Sequence, residues 1–104
     1  MPKREEGSDT GVIVKTRRKV KRPRLFNVVM HNDDYTTMDF VVHILIDIFH
    51  KSHAEATFIM LTIHRQGIGA CGEYSRDVAE TKVAQVTKLA QEHGHPLMCT
   101  MEKA

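Results

Sequence analysis

Two consecutive capping-box patterns in the middle of the chain constrain its fold more than any other sequence feature. Thr36 followed by Asp39, and Ser52 followed by Glu55, each place a hydroxyl three residues before a carboxylate, which is typical of a helix start. Apolar residues at helical spacing follow both patterns: Met38, Val41, Val42, Leu45, Ile48 and Phe49, then Ala56, Ile59, Met60 and Ile63. The sequence therefore predicts two amphipathic helices in tandem, the second ending at Gly67.

Segments with the pattern of β-strands flank this helical pair. Residues 25–30 (LFNVVM) are rich in β-branched and aromatic side chains and lead into a polar turn. Residues 68–74 predict a second strand, in which Gly69 and Gly72 permit a bulge or a close backbone contact. Residues 97–102 alternate apolar and polar side chains, as a half-buried strand does.

A third helix is predicted between the last two strands. Ser75 can cap its start, and Gly94 and Pro96 mark its end. Its apolar stripe consists of Ala79, Val83, Val86 and Ala90. The order β-α-α-β-α-β predicts an α+β fold, a single small domain whose helices pack on a three-stranded antiparallel sheet.

The first 24 residues differ in composition from the rest of the chain. They contain nine Lys and Arg but only three acidic residues, a net charge of +6, so the remainder carries −4. Apart from Val12, Ile13 and Val14, they have few large apolar side chains to bury. We therefore expect a flexible basic N-terminal arm over residues 1–24, ahead of a core domain over residues 25–104.

Composition argues against several classes of protein. No apolar run approaches the ~20 residues that span a bilayer, and the N-terminus lacks a secretory signal, which predicts a cytoplasmic protein without a membrane partner. The acidic body has no basic stripe with interleaved aromatic residues, which argues against nucleic-acid binding. Its charge suits a cationic ligand, such as the free amino group of a polypeptide.

The cysteines and histidines match no recognised metal pattern. Cys71 and Cys99 lie far apart without a CxxC motif, and we expect free, buried thiols in a reducing compartment. His93, His95 and Cys99 cluster late in the chain, but their spacing is not that of a zinc site. We therefore expect no metal and no other cofactor.

An enzymatic function is not expected either. Asp33 or Asp34 could pair with His64 as orienter and base, but such a pair needs a nucleophile. Neither cysteine lies in a nucleophile motif, and no Gly-rich phosphate loop is present. The sequence thus predicts a binding protein without catalytic residues.

Short blocks spread from residue 25 to the C-terminus match one known family. The most distinctive run is NDDYT at 32–36 followed by MDFVV at 38–42, and further blocks are AT at 56–57, ML at 60–61, His64, Gly67, CG at 71–72, VAETKV at 78–83, HPL at 95–97 and CT at 99–100. In these blocks and their spacing the chain resembles the ClpS adaptors of ClpA/ClpP-type ATP-dependent proteases. One departure is Thr37, where the family commonly has proline; both are tolerated at a helix start, so we expect a small effect on stability.

The resemblance implies recognition of an N-degron, which is a bulky hydrophobic first residue (Phe, Tyr, Trp or Leu) with its free α-amino group. An α-ammonium offers three donors and a positive charge, so its site needs converging acceptors, preferably anionic. The resemblance assigns direct or water-mediated amine binding to Asn32, Asp34 and His64, with Asp33 supporting. Which of the two carboxylates contacts the amine directly stays open. Taken alone, Asn-Asp-Asp would equally fit an Asx-type turn that caps the next helix.

The side chain of the captured residue needs an apolar pocket. The resemblance places seven residues around it: Met30, Thr36, Met38, Val41, Met60, Ile63 and Leu97. Methionine is flexible and polarizable, so methionines at a rim can adapt to side chains of different shape. The helical members of this set also fit the buried stripes of their helices. Both interpretations can hold, because a residue that packs in the core can also line a pocket that opens from it.

Glu80 and Lys82 lie early in the third predicted helix, on a polar side for which a solvated face is one explanation. The resemblance implies a second, docking to the N-terminal domain of a ClpA-type AAA+ unfoldase. By the same analogy, the basic arm would reach toward the pore of that partner.

Overall fold

The structure is a computed structural model that describes residues 23–104, so most of the expected N-terminal arm, residues 1–22, lies outside the described residues. The elements are β1 (Leu25–His31), α1 (Met38–Asp47), α2 (His53–Gln66), β2 (Ile68–Ser75), α3 (Arg76–Glu92) and β3 (Met98–Lys103). The predicted β-α-α-β-α-β order is therefore confirmed. In this part of the chain, none of the helices has the length and apolar character needed to cross a membrane.

The three strands form one antiparallel sheet in the order β2-β1-β3. β1 is the central strand, and its alternate residues Phe26, Val28 and Met30 are buried. The pairing of β1 with β2 shifts between Val28 and Val29, which leaves Cys71 as the extra residue of a β-bulge. The glycine-rich composition of β2 predicted such an irregularity.

The core lies between this sheet and the three helices. In α1 the buried residues are Phe40, Val41, Ile44 and Leu45. The predicted apolar stripe is therefore partly wrong, because it omitted Phe40 and Ile44 and included Met38, which is 43% exposed. The buried residues of the other helices are Ala56 and Ile63 in α2 and Ala79, Val86 and Ala90 in α3, all on the predicted stripes.

The start of α1 differs from the predicted capping box. Thr37, not Thr36, is the N-cap residue, and its side-chain oxygen accepts a hydrogen bond from the Phe40 amide at 3.2 Å. The Thr36 hydroxyl instead belongs to the turn before the helix, where it donates to Asp33 at 2.7 Å. Thr37 thus supplies the helix cap here.

The boundaries of α2 and α3 follow the sequence more closely. Ser52 and Glu55 form the predicted capping box, and Gly67 ends α2 in the left-handed conformation with φ +88°. Ser75 stands at the start of α3 but makes no capping hydrogen bond with its side chain. Gly94, with φ +72°, follows the end of that helix.

Both cysteines are free and buried, as predicted. Burial raises the pKa of the Cys71 thiol to about 12, to which the neighbouring Cys99 contributes. Burial likewise raises the pKa of Cys99 to about 12. At neutral pH both side chains are therefore protonated and pack as small apolar groups.

Candidate functional site

A cavity of about 230 Å³, called here the outer cavity, lies where the end of β1, the start of α1 and the end of α2 meet. The residues that line it are Asn32, Asp33, Asp34, Thr36, Met38, Val41, Met60, Ile63 and His64. The structure therefore brings all four expected amine-binding residues together with five of the seven expected pocket residues.

A backbone hydrogen bond explains how His64 reaches the acidic turn. The Asn32 amide donates to the Gly67 carbonyl at 2.9 Å, which ties the residue after β1 to the residue that ends α2. His64 lies in the last turn of α2, three residues before Gly67. The two halves of the site are distant in sequence and are joined at this point.

The carboxylate of Asp33 organises the turn that follows β1. Its Oδ1 accepts hydrogen bonds from the amides of Tyr35 at 2.8 Å and Thr36 at 2.7 Å, and its Oδ2 accepts one from the Thr36 hydroxyl at 2.7 Å. Burial alone would raise the pKa of Asp33, but these hydrogen bonds and the nearby His95 outweigh it and hold the pKa below its ordinary value. Asp33 is therefore an ionised group whose oxygens are already engaged within the turn.

Asp34, the next residue, has a different environment. Its side chain is exposed and lines the outer cavity, and it makes no hydrogen bond or ion pair with any residue in 23–104. The side chains of Asn32 and His64 are likewise exposed at this cavity. These three groups form a polar mouth that can accept hydrogen bonds from a cation.

The other end of the outer cavity is apolar and closed. Val41 is 7% exposed and Ile63 is 2% exposed, and both belong to the core. Close packing of α2 on the sheet fixes the position of Ile63, because a Cβ added at Gly69 would lie 2.6 Å from its Cγ1 atom. The cavity wall on this side is continuous with the protein core.

A second cavity of about 20 Å³, called here the inner cavity, adjoins the outer one. Asn32, Asp33, Thr36, Val41 and Ile63 line both cavities, and the inner one is completed by His31 and Leu97. Leu97 is therefore close to the predicted pocket.

Met30 differs from expectation, and a neighbouring residue lies where no site residue was expected. Met30 is fully buried in the core and lines neither cavity. His31, which the sequence did not single out, lines the inner cavity, and its Nε2 atom lies 2.9 Å from the Thr100 Oγ1 atom.

Glu80 and Lys82 have separate environments on α3. Glu80 is exposed, whereas the Lys82 ammonium donates to the Ile48 carbonyl at 2.6 Å and lies 6.0 Å from the ring centroid of Phe49 and 5.6 Å from that of Tyr74. Lys82 therefore links α3 to the end of α1, an intramolecular contact that the sequence did not predict. Across residues 23–104, no group of three or more His, Cys, Asp or Glu side chains could hold a metal ion.

Comparisons with known proteins agree with this architecture. The family model described as the ATP-dependent Clp protease adaptor protein ClpS matches residues 21–100. The Clp protease adapter protein ClpS of Rhodospirillum centenum is 54% identical over 99 residues, covering 95% of this chain and 92% of that protein. The corresponding protein of Parvibaculum lavamentivorans is 57% identical over 97 residues, covering 93% and 88% of the two chains.

A solved structure extends the similarity to three dimensions. ClpS2 of Agrobacterium tumefaciens bound to L-phenylalaninamide superposes with a TM-score of 0.77 at 41% identity, covering 80% of this chain and 100% of that chain. The sequence match and the fold lead to one assignment. The chain belongs to the ClpS family of ATP-dependent Clp protease adaptors.

Proposed function

We propose that this chain is a cytoplasmic adaptor that binds polypeptides by a free α-amino group and a bulky hydrophobic first side chain, and delivers them to a Clp AAA+ unfoldase for degradation. The observation that carries this proposal is the outer cavity, in which a polar, exposed mouth joins a buried apolar end. An N-terminal Phe, Tyr, Trp or Leu presents both matching features on one residue. The chain supplies binding, and no group of the site acts as a catalyst.

The mouth suits an α-ammonium group. Asn32, Asp34 and His64 provide acceptors from two sides, and the carboxylate charge attracts the cation. We assign the direct or water-mediated carboxylate contact to Asp34, because three hydrogen bonds within the turn already occupy Asp33. In this assignment Asp33 supports the site by holding the turn in shape.

The apolar end suits one large side chain. Burying an aromatic or leucine side chain contributes about 2–3 kcal/mol, and each charge-assisted hydrogen bond about 1.5–3 kcal/mol, before the entropy of association opposes them. A micromolar affinity, about 8 kcal/mol, is a reasonable sum for these terms. The related ClpS2 is bound to L-phenylalaninamide, which has a free α-amine and an aromatic side chain, and this supports the proposal.

The decisive experiment compares two peptides that differ only at the amino group. A short peptide beginning with Phe and its N-acetylated form are titrated against the protein by fluorescence anisotropy at neutral pH. Acetylation removes the charge and leaves one N–H donor, so we expect an affinity loss of at least about a hundredfold. Equal affinities would contradict the proposal, because a purely hydrophobic groove would not distinguish the two peptides.

A His64→Ala variant tests whether the loss arises at the mouth. It should weaken the free-amine peptide and leave the acetylated peptide nearly unchanged, since a double-mutant cycle isolates the groups that interact. His53→Ala is a matched control, because His53 is exposed at the start of α2 and lines neither cavity.

We further propose that Glu80 and Lys82 contribute to docking on the N-terminal domain of the unfoldase, and that the basic arm assists delivery. Exposure of Glu80 supports the first statement, and the charge density of residues 1–24 supports the second. Glu80→Ala should weaken binding to the isolated unfoldase domain without changing the stability of the adaptor. Lys82→Ala should lower both the affinity for the unfoldase domain and the stability of the adaptor, because it also removes the contact with Ile48.

Removing residues 1–24 separates capture from delivery. All residues assigned to the pocket lie later in the chain, so peptide affinity should be unchanged, while substrate degradation should slow at matched occupancy of the unfoldase. Equal degradation rates with and without these residues would exclude an active role for the arm.

A further inference from the structure

The three helices pack on only one face of the sheet. Side chains alternate along β1, so Phe26, Val28 and Met30 face the helices, whereas the residues between them face the other way. Val29 belongs to this second set, and it is buried but lies outside the core cluster. Within residues 23–104, no helix therefore covers the second face, which is called here the open face.

The open face is apolar toward the end of β1. Two large apolar side chains flank His31 across the strands: Ile68 of β2, which is 40% exposed, and Met98 of β3, which is 56% exposed. The next row of the face contains Val29 and the exposed Ala70. Single apolar side chains on a surface are ordinary, but neighbouring ones form a patch that another apolar group can cover. These four apolar residues are called here the apolar patch.

The open face is acidic nearer the start of β1. Glu73 of β2 and Glu102 of β3 both pair with Asn27, so two exposed carboxylates flank the central strand. Neither carboxylate makes an ion pair or a hydrogen bond with any residue in 23–104. These charges attract a basic segment and disfavour the same face of a second copy.

The segment that precedes β1 has the matching order of properties. Residues 15–22 contain six Lys and Arg and no acidic residue, and Val12, Ile13 and Val14 come before them. Counted away from β1, this segment is therefore basic first and apolar second. The open face, counted from the start of β1, is acidic first and apolar second.

The length of the segment allows these properties to be aligned. Pro23 lies two residues before β1, at the acidic end of the open face. From Leu25 to His31, β1 advances by about 20 Å, at about 3.3 Å per residue. The stretch from Arg22 back to Val14 spans up to about 26 Å when it is extended, which is enough to cross both the acidic row and the apolar patch.

We infer that residues 12–22 bind back across the open face of their own sheet, with the cations beside Glu73 and Glu102 and residues 12–14 on the apolar patch. This contact is separate from peptide capture, so the inference goes beyond the proposed function and does not depend on it. Exposed ion pairs are individually weak, so the contact is reversible and the segment stays available for delivery. The open face is thus a docking surface for the segment before β1.

The test locates this segment in the full chain. A nitroxide is attached to the thiol of a Thr10→Cys variant, next to residues 12–14, and the paramagnetic loss of intensity of each backbone amide is measured by NMR. Cys71 and Cys99 are buried, with thiol pKa values raised to about 12, so the label should react only with the new thiol.

The amides of Ile68 and Met98 should lose most of their intensity. Phe58 is the matched control, because it is an exposed apolar residue on α2, and its amide should keep its intensity. Equal losses over the open face and the helices would overturn the inference. In a mixed sample, the nitroxide and the nitrogen isotope are on different molecules; an equally large loss there would show that the segment of a second copy occupies the face.

Charge variants of the labelled chain test the acidic row. Glu73→Gln combined with Glu102→Gln should lower the ratio of docked to free segment by about threefold or more, because two exposed ion pairs are lost. Added salt should act in the same direction, since it screens exposed charges. Asp39→Asn combined with Glu92→Gln is the matched control, because it removes the same charge from exposed helical positions.

A change in the segment itself tests the apolar patch. Val12→Ser combined with Val14→Ser leaves residues 23–104 unaltered and should restore the intensity of the Ile68 and Met98 amides. Unchanged intensity losses in this variant, or equal effects of the two charge pairs, would overturn the inference. Neither result would bear on peptide binding, which the acetylated and free Phe peptides test separately.

Discussion

The two ends of the outer cavity obey different physical constraints. At the mouth, Asn32, Asp34 and His64 are exposed, and their side chains make no hydrogen bond with residues 23–104. At the closed end, Val41 and Ile63 are buried members of the core. Mouth residues can therefore change with little effect on folding, whereas in the proposed function residues at the closed end serve stability and binding together. Substitutions at the two ends should separate these contributions.

The largest effect is expected at the closed end. Ile63→Ala should lower the free energy of unfolding by about 2–5 kcal/mol, because it removes buried methyl groups and leaves a void beside the sheet. Urea denaturation measures this loss, and Ile63→Val should give a smaller one. A loss below about 1 kcal/mol would show that the wall is not part of the core.

Substitutions at the mouth should instead change the affinity for peptides. Asp34→Asn should weaken the free-amine Phe peptide by about tenfold to a hundredfold, because it replaces a charge-assisted contact by a neutral one. Its unfolding free energy should stay within about 0.5 kcal/mol of the parent. Asp39→Asn is a matched control, since Asp39 is exposed in the first turn of α1 and lines neither cavity.

Asp33 lies in the turn between the two ends, and its contribution can be tested through the pH dependence of the free energy of unfolding. Its pKa is lowered in the folded protein, so its ionised form stabilises the fold above the unfolded-state pKa of about 3.9, and this contribution is lost as pH falls. Asp33→Asn should therefore be less stable than the parent by about 1 kcal/mol at neutral pH. The difference should shrink below about pH 4. A pH-independent difference would show that the charge of Asp33 does not support the turn.

The smallest effect is expected at the rim. Met38 is 43% exposed beside the acidic turn, and we predict that it excludes first residues branched at Cβ. Met38→Ala should raise the affinity of Ile and Val peptides relative to the Phe peptide. The change should be less than about tenfold, which is the effect of one methylene group in an enclosed pocket. An unchanged ratio of these affinities, measured by fluorescence anisotropy, would show that Met38 does not exclude such residues.

Local sequence patterns predicted the fold well where one short segment holds all the interacting groups. The Ser52–Glu55 capping box and the left-handed Gly67 are of this kind, since each depends on backbone groups a few residues away. The Thr36–Asp39 box has the same pattern and was wrong. The helix begins one residue later, at Met38, and Thr36 belongs to the preceding turn, where its hydroxyl donates to Asp33, a residue outside the pattern.

The site could be predicted only in part, because its groups meet through the tertiary fold. No local pattern connects the turn after β1 with His64, and their grouping came from resemblance to a family. The contact of Lys82 with Ile48 joins residues 34 positions apart, and that of His31 with Thr100 joins residues 69 positions apart. Side-chain roles of this kind require knowledge of which elements pack together.

The hydrogen bond between the Asn32 amide and the Gly67 carbonyl has a consequence for dynamics. It joins the strand that carries the acidic turn to the helix end that carries His64, so the two parts of the mouth cannot separate while it is intact. In the proposed function, a local opening that breaks this bond would release a bound amine without unfolding the sheet. The exchange rate of this one amide with deuterated solvent should therefore report the lifetime of the assembled mouth, and it should slow when a peptide is bound.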